Sequence, residues 1–77
     1  MSKLPLVTAK QLENFILSLG FIKKRQKGSH AFYKHPDGRY TTIPHHSNQV
    51  LARNLTRQIL REIQVTPEKY KDFFGKN

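Results

Sequence analysis

The spacing of apolar residues near the start of the chain predicts a helix over residues 9–19. Its apolar positions recur at i, i+3, i+4 and i+7 and so share one face: Leu12, Phe15, Ile16 and Leu19. Thr8 followed by Gln11 forms a capping-box pair of the kind that begins helices, and Gly20 supplies a stop. We therefore expect the first element to be an amphipathic helix.

The next part of the chain predicts three strands joined by tight turns. Residues 21–27 and 30–34 have strand character and are separated by a turn at residues 27–29. The motif His35-Pro36-Asp37-Gly38 is typical of a type I turn, because Pro at the second position presets φ and Gly suits the fourth. Residues 39–43 are therefore expected to return as a third strand.

The second half of the chain predicts two more helices. Pro44 ends the third strand, since it lacks a backbone donor, and a polar loop at residues 45–48 leads to a helix over residues 50–63. One face of this helix is apolar: Leu51, Leu55, Ile59 and Ile63. A second stripe lies about 200° away and is basic: Arg53, Arg57 and Arg61. Thr66 and Pro67 predict the start of a short last helix, whose aromatic residues fold back on the core: Tyr70, Phe73 and Phe74.

The order α-β-β-β-α with a terminal helix predicts an α+β fold, with a three-stranded antiparallel sheet and helices on one face. The opposite sheet face, the turns and the arginine stripe are then available to a partner. The chain length fits one domain, residues 1–77, and with no Cys the packing of apolar side chains must hold it together. No apolar run approaches the roughly 20 residues that span a bilayer, and no secretory signal is evident, so a cytoplasmic protein is expected.

The charge distribution indicates a polyanionic or acidic partner. The formal net charge is +9 and the pI is about 10.3. Between Asn14 and Arg61, nine basic residues accompany one acid, Asp37, so this segment carries +8. A purely solubilising charged surface is the alternative. Random scatter would rarely leave so long a segment with one acid, so we favour nucleic acid.

Four His residues are the side chains able to transfer protons near neutral pH, because their ordinary pKa is about 6.5. His30 follows the Gly28-Ser29 turn and the basic run at residues 23–27, so a phosphate attracted to that strand would lie beside it. The others lie in a turn or a loop: His35, His45 and His46. No carboxylate or Cys stands beside His45 and His46, so we predict no metal site and no cofactor.

These residues fit metal-independent cleavage of RNA. The reaction needs a base for the 2′-hydroxyl proton, an acid for the leaving 5′-oxygen and cations for the phosphate, whereas RNA supplies its own nucleophile. His30 could transfer the proton, with Lys27 or Lys34 as electrostatic helpers. On spacing alone, however, a His in a hairpin is more often structural or at the surface than catalytic.

The aromatic residues of the strands could stack on bases, although strand aromatics usually pack: Phe32, Tyr33 and Tyr40. Tyr33 alternates away from Phe32, and we expect Tyr33 to be the more exposed of the two. Alternation places His30 on the Phe32 face, so the exposure of His30 would depend on its position at the strand edge.

Two segments closely resemble the HicA (YcfA-like) mRNA interferase toxins: Arg25-Gln26-Lys27-Gly28-Ser29-His30, and Tyr33-Lys34-His35-Pro36-Asp37-Gly38-Arg39 with the later Ile43-Pro44. A weaker likeness extends from Leu19-Gly20-Phe21 through Leu55-Thr56-Arg57-Gln58-Ile59-Leu60 to the closing helix. The resemblance implies a double-stranded-RNA-binding-like fold and cleavage of messenger RNA. It also implies neutralisation by a HicB-type antitoxin in a hetero-oligomer.

In that family the His of the Gly-Ser-His motif is catalytic, and it corresponds to His30 here. We predict that RNA contacts the basic and polar residues around it: Lys23, Lys24, Arg25, Lys27, Ser29 and Lys34. Where the family often has Gly before the second helix, this chain has Asn54. Asn tolerates the left-handed region, so the helix could begin only near Leu55, which would remove Arg53 from the basic stripe.

Two other functions stay open on the residues alone. A non-catalytic RNA-binding module would have the same element order and charge, but it would bind RNA in a salt-sensitive way without cleaving it. An interaction protein would use its basic surface for an acidic partner. That reading is compatible with a toxin whose antitoxin covers His30 and inserts acids among the Lys and Arg residues.

Overall fold

The computed structural model describes residues 3–46 and 49–75 of the 77-residue chain. Its elements follow the order α-β-β-β-α with a closing helix: α1 Ala9–Ser18, β1 Ile22–Lys27, β2 His30–Lys34, β3 Tyr40–Pro44, α2 Arg53–Glu62 and α3 Pro67–Gly75. The predicted α+β fold is confirmed. Within the described part of the chain, no helix combines the length and the apolar character needed to span a membrane.

The caps of α1 are those that its flanking sequence predicts. The Thr8 hydroxyl accepts a hydrogen bond from the Gln11 N–H (3.2 Å), and the Gln11 side chain accepts one from the Thr8 N–H (2.8 Å). At the other end Gly20 has a φ of 98°, and the Phe21 N–H donates to the Ile16 carbonyl (3.4 Å). This Schellman arrangement needs a left-handed residue, which Gly supplies without strain.

The three strands form one antiparallel sheet in the order β1-β2-β3. A two-residue turn, Gly28 and Ser29, joins β1 to β2. Gly28 has a φ of 60°, the sign that the first central residue of a type II′ hairpin turn requires. The turn at residues 35–38 joins β2 to β3 and is closed by a hydrogen bond from the His35 N–H to the Arg39 carbonyl (2.8 Å). Both predicted hairpins are therefore present.

α2 begins at Arg53, between the two starting points that the sequence suggested. Val50 forms an antiparallel bridge with Thr8, and the residue after Val50 donates its N–H to the Val7 carbonyl (2.8 Å). These contacts hold the segment before α2 in an extended form, so the predicted start at residue 50 is wrong. The later start near Leu55 is also wrong. The last two residues of the predicted loop, Ser47 and Asn48, lie outside the described residues.

The core lies between the helices and one face of the sheet, here called the covered face. The buried strand residues share this face: Ala31, Tyr33, Thr41 and Ile43. α1 and α2, with the residue after α2, supply most of the apolar side chains above it: Leu12, Phe15, Ile16, Ile59, Leu60 and Ile63. α3 closes one end, because Tyr70 is fully buried, donates to the Pro5 carbonyl (2.6 Å) and packs its ring against Phe15 and Phe74. Phe73 also contacts Phe15 but is half exposed.

Candidate nucleic-acid interface

The side chains of β2 show that the two faces of the sheet differ, because successive side chains of a strand point to opposite faces. Ala31 and Tyr33 are fully buried under the helices, whereas His30 and Lys34 are exposed and Phe32 is partly exposed. The prediction that Tyr33 would be the exposed aromatic is therefore wrong, since its ring fills the core. The face that carries His30 and Phe32 is the one that stays open.

Strand pairing arranges the open side of the sheet in three rows, since directly opposed residues of antiparallel strands point the same way. We call these residues the open face. The first row is Lys27, His30 and Pro44; the second is Arg25, Phe32 and Thr42; the third is Ile22, Lys34 and Tyr40. None of them is acidic, and no Asp or Glu occurs in the three strands. The open face therefore presents cations and aromatic rings to solvent.

His30 stands at the centre of the first row, opposite Lys27 on β1 and Pro44 on β3. Its side chain is exposed, and among residues 3–46 and 49–75 no hydrogen bond or ion pair engages its imidazole. Both ring nitrogens are thus available to an incoming molecule. The next rows add Arg25 and Lys34, so the structure places the predicted catalytic residue on the same face of the sheet as these predicted RNA-binding residues.

The Gly28-Ser29 turn that precedes His30 is held by contacts on both sides. The Gln26 amide donates to the Gly28 carbonyl (3.1 Å), and the Ser29 carbonyl accepts the His45 N–H (2.6 Å). Ser29 is partly exposed next to the first row. The backbone that carries His30 is therefore fixed, while its side chain is left free.

A bulge places Lys24 near the other end of the open face. The register of β1 shifts between Lys23 and Arg25, which leaves Lys24 without a partner on β2. Lys24 is exposed and borders a shallow hollow whose other lining residues are Ile22, Lys34, His35 and Pro36. It therefore adds positive charge beside the third row.

Lys23 points away from the open face. It stands opposite the buried Tyr33, and its ammonium forms an ion pair with Glu13 on α1 at 3.1 Å. Lys10 also pairs with Glu13, at 3.2 Å. Lys23 was predicted to bind RNA, but its ammonium lies on the opposite side of the sheet from His30.

A polar cluster lies under the covered face, and the sequence reasoning missed it. The Tyr33 hydroxyl donates to Glu13 Oε2 (2.7 Å) and lies 2.8 Å from His45 Nε2, which acts as its donor because the phenol has one proton. We call Glu13, Tyr33, His45, Lys23 and Lys10 the covered cluster. One signal was present in the sequence: Glu13 falls within the apolar arc of α1, where a buried acid needs a partner.

Burial and hydrogen bonding set the protonation of this cluster. Burial alone would raise the pKa of Glu13, but hydrogen bonds from Tyr33, Lys23 and Lys10 outweigh it and lower the pKa to about 2. Burial and the bonded Glu13 carboxylate raise the pKa of Tyr33. Burial lowers the pKa of His45 below 6.5, and the nearby Lys23 and Lys10 act in the same direction against the opposing Glu13. At neutral pH the cluster therefore pairs an ionised carboxylate with a neutral phenol and a neutral imidazole.

His35 has a structural place in the turn before β3. Its ring contacts Phe21, with centroids 5.0 Å apart, and its Nδ1 lies 3.0 Å from the Asp37 carboxylate. Arg39 also pairs with Asp37, at 2.9 Å, and its guanidinium lies 5.1 Å from the centre of the Phe21 ring. Hydrogen bonds from the side chain and the backbone N–H of Arg39 lower the pKa of Asp37.

The predicted arginine stripe lies on the outer side of α2, away from the open face. Arg57 and Arg61 are exposed, whereas the Arg53 guanidinium donates to the Leu4 carbonyl (2.9 Å). His46 is exposed in the loop after β3. Over the described ranges 3–46 and 49–75, no three His, Cys, Asp or Glu side chains are grouped so as to hold a metal ion.

Comparison with known proteins supports the resemblance carried by the Gly-Ser-His motif. No curated protein matches the chain. A family model described as HicA toxin of bacterial toxin-antitoxin matches residues 9–65. This range runs from the first residue of α1 past the end of α2, includes the entire open face and spans well over half of the chain. The chain therefore belongs to the HicA toxin family of bacterial toxin–antitoxin systems.

Proposed function

We propose that the chain is a metal-independent endoribonuclease toxin that cleaves messenger RNA on its open face, with His30 as the general acid/base. One observation carries this proposal: the exposed imidazole of His30 has no partner among the described residues and faces Lys27 on a surface without acids. The family match supports a toxin role.

The proposed reaction uses the 2′-hydroxyl of RNA as its nucleophile. A base removes the proton from that hydroxyl, and the oxygen attacks the adjoining phosphorus. The 5′-oxygen of the next nucleotide then leaves with a proton, so the products end in a 2′,3′-cyclic phosphate and a 5′-hydroxyl. Imidazole can accept or donate a proton near neutral pH, so His30 can serve at either step.

Cations near His30 would hold the phosphate and stabilise its developing charge. Lys27 is the nearest candidate, because it stands directly opposite His30 in the first row. We propose that the remaining contacts come from neighbouring positions: Lys24, Arg25, Ser29 and Lys34. Lys23, which was also predicted to bind RNA, would add to the positive field while its ammonium stays paired with Glu13.

We propose a HicB-type antitoxin as the protein partner, in a hetero-oligomer. An acidic segment placed over the open face would neutralise its cations and block access to His30, which is how electrostatic complementarity would produce inhibition. An mRNA substrate implies that the toxin acts in the cytoplasm. We also propose that residues 1–77 form one toxin domain.

Cleavage of RNA in EDTA by wild-type chain, His30→Ala and His46→Ala tests the proposal. His46 is an exposed His in a loop and serves as the matched control. We expect His30→Ala to lower the cleavage rate by about 10²- to 10⁴-fold, the usual contribution of general acid–base catalysis, and His46→Ala to leave the rate unchanged. Circular dichroism should show that all three chains are folded.

Three results would count against the proposal. Cleavage that persists in His30→Ala would remove His30 from the mechanism. Cleavage that needs an added divalent metal would exclude the metal-independent route. Salt-sensitive RNA binding without any cleavage would favour the non-catalytic RNA-binding module instead.

A further inference from the structure

The open face carries an aromatic surface that the proposed cleavage chemistry does not use. Phe32 occupies the centre of the three rows, and Tyr40, in the third row, is 60% exposed. Their ring centroids are 5.8 Å apart with an interplanar angle of 41°, and the Arg25 guanidinium lies 5.6 Å from the Phe32 centroid. The two rings and the guanidinium therefore form one continuous patch, which we call the aromatic patch.

The hydrophobic core does not account for this patch. The core lies on the opposite side of the sheet, where Tyr33 and Ile43 are fully buried. Because the Tyr40 ring is 60% exposed, burying it contributes little to the stability of the fold. Cross-strand packing accounts only for the part of the ring that contacts Phe32. The outer surface of the Tyr40 ring and the Arg25 guanidinium that lies over Phe32 are left for a ligand.

The charge around the patch selects the class of ligand. The open face holds Arg25, Lys27 and Lys34 and no acid. Two acids, Asp37 and Glu62, line a hollow beside Tyr40; Asp37 is paired with Arg39 at 2.9 Å, whereas Glu62 accepts a hydrogen bond from Thr41 and keeps its charge, so the cations of the open face outnumber the one unpaired carboxylate. Alternating cations and exposed rings match a polyanion whose units each carry a flat π face, which is the description of a single-stranded nucleic acid.

We infer that Phe32 and Tyr40 stack on an unpaired base of single-stranded RNA, with the Arg25 guanidinium completing the stacking surface. This inference deepens the proposed function and rests on it. His30 and Phe32 are two residues apart on β2, about 7 Å along the strand. When a phosphate of the RNA binds at His30, the base of a neighbouring nucleotide can therefore reach the aromatic patch.

The same geometry selects single-stranded RNA against duplex RNA. Within a duplex the π faces of the bases are covered by their neighbours, so a ring on a flat sheet cannot stack on them. An exposed aromatic surface is useful only when a base is unpaired and can be splayed out. The aromatic patch thus favours unpaired stretches of a messenger.

Binding measurements on the cleavage-inactive His30→Ala chain test this inference. The probe is a fluorescently labelled single-stranded RNA oligonucleotide, compared with a blunt duplex of the same sequence. We expect the single strand to bind more tightly. In the same background Tyr40→Leu should weaken single-strand binding about 5- to 150-fold, as loss of one stacked base does, whereas Tyr40→Phe should change it less than about twofold. Urea denaturation checks that each variant is folded.

An abasic scan of the oligonucleotide separates stacking from a structural role. Removing the stacked base should weaken binding to the His30→Ala chain, but it should cost nothing further when Tyr40 is also Leu, because the two changes delete the same contact. If the two losses add at every position, or if duplex binds as tightly as single strand, the inference is overturned. Unchanged RNA affinity in Tyr40→Leu would likewise overturn it and leave the patch for a protein contact.

The oligonucleotides carry 2′-O-methyl groups, so no chain can cut them through a 2′-hydroxyl, and the scan is independent of the catalytic assay. Absence of cleavage by the wild-type chain would defeat the proposed function while the stacking result still stood. Cleavage that depends on His30, together with additive losses in the scan, would keep the proposed function and discard the stacking site.

Discussion

The two faces of the sheet use the same residue types for opposite purposes. On the open face His30, Lys27 and Tyr40 are exposed, and the imidazole of His30 has no partner in the described residues. In the covered cluster His45, Lys23 and Tyr33 meet Glu13, and each is engaged: Glu13 with Lys23 at 3.1 Å, and Tyr33 with His45 at 2.8 Å. His45 directly follows Pro44, the strand partner of His30, so one step along the backbone separates the two environments.

This difference shows that position, more than residue type, decides what a titratable group can do. A charge taken out of water must be paired, so the buried carboxylate of Glu13 holds Tyr33 and Lys23 in place and the covered cluster stabilises the fold. A group that exchanges protons with a substrate must be within the substrate's reach. The imidazole of His30 is exposed, whereas the side chain of His45 is 20% exposed and its Nε2 is bonded to the Tyr33 hydroxyl.

The largest expected effect separates two neighbours on β2. Tyr33→Ala should lower the free energy of unfolding by about 3–5 kcal/mol, because it empties a fully buried ring site. Phe32→Ala should lower it by about 1 kcal/mol, because Phe32 loses only cross-strand contacts. Urea denaturation at neutral pH measures both values. Equal losses would mean that the open face is part of the core.

A somewhat smaller effect concerns acid and the covered cluster. The pKa of Glu13 is about 2 in the folded chain and near 4.5 when unfolded, so the unfolded state binds protons first as the pH falls. The stabilisation, about 3 kcal/mol by linkage, is therefore complete above pH 4.5 and is lost as the pH falls toward about 2. Glu13→Gln should be less stable at neutral pH and should lack this acid-dependent loss.

Urea denaturation at a series of pH values measures that loss. The exposed Glu68 on α3 provides the control, and Glu68→Gln should keep the wild-type pH profile. Burial lowers the pKa of His45 below 6.5, so its contribution to stability is lost as the pH falls below 6.5. Glu13→Gln also removes the carboxylate that opposes this shift, so the loss assigned to Glu13 is the one read between pH 4.5 and about 2. Identical profiles for Glu13→Gln and wild type would contradict the role assigned to the covered cluster.

The smallest expected effect compares two lysines of β1. Lys27→Ala should reduce the slope of log K against log salt for single-stranded RNA by about 0.7, the contribution of one phosphate contact. Lys23→Ala should leave the slope nearly unchanged, because its ammonium is held by Glu13 on the other face. Titrations of labelled RNA at several salt concentrations measure both slopes. If Lys23→Ala changed the slope more than Lys27→Ala, Lys23 would contact the RNA directly.

The sequence predicted well the features that depend on neighbouring residues. The capping box of Thr8 and Gln11, the Gly28-Ser29 turn and the turn at residues 35–38 all lie where they were expected, because each is determined within a few residues. The start of α2 was wrong because it is determined by a distant contact, the bridge between Thr8 and Val50.

The faces of β2 required information from outside the strand. Alternation separates Phe32 from Tyr33, but it does not say which side the helices cover. The polar neighbours of Phe32 on its own face, His30 and Lys34, were the available signal. The covered cluster could not be predicted from the sequence for a related reason, because its members are distant along the chain. Glu13 and Tyr33 are 20 residues apart, and Tyr33 and His45 are 12 residues apart.

The central claim is that His30 promotes cleavage through the 2′-hydroxyl of the RNA itself. The most direct measurement is mass spectrometry of the products formed in EDTA from an RNA oligonucleotide and from the same oligonucleotide with a 2′-deoxy nucleotide at the cut site. We expect 2′,3′-cyclic phosphate and 5′-hydroxyl ends from the first oligonucleotide, no cut at that site in the second, and neither product with His30→Ala. Cleavage at the 2′-deoxy position, or products ending in a 3′-hydroxyl and a 5′-phosphate, would contradict it.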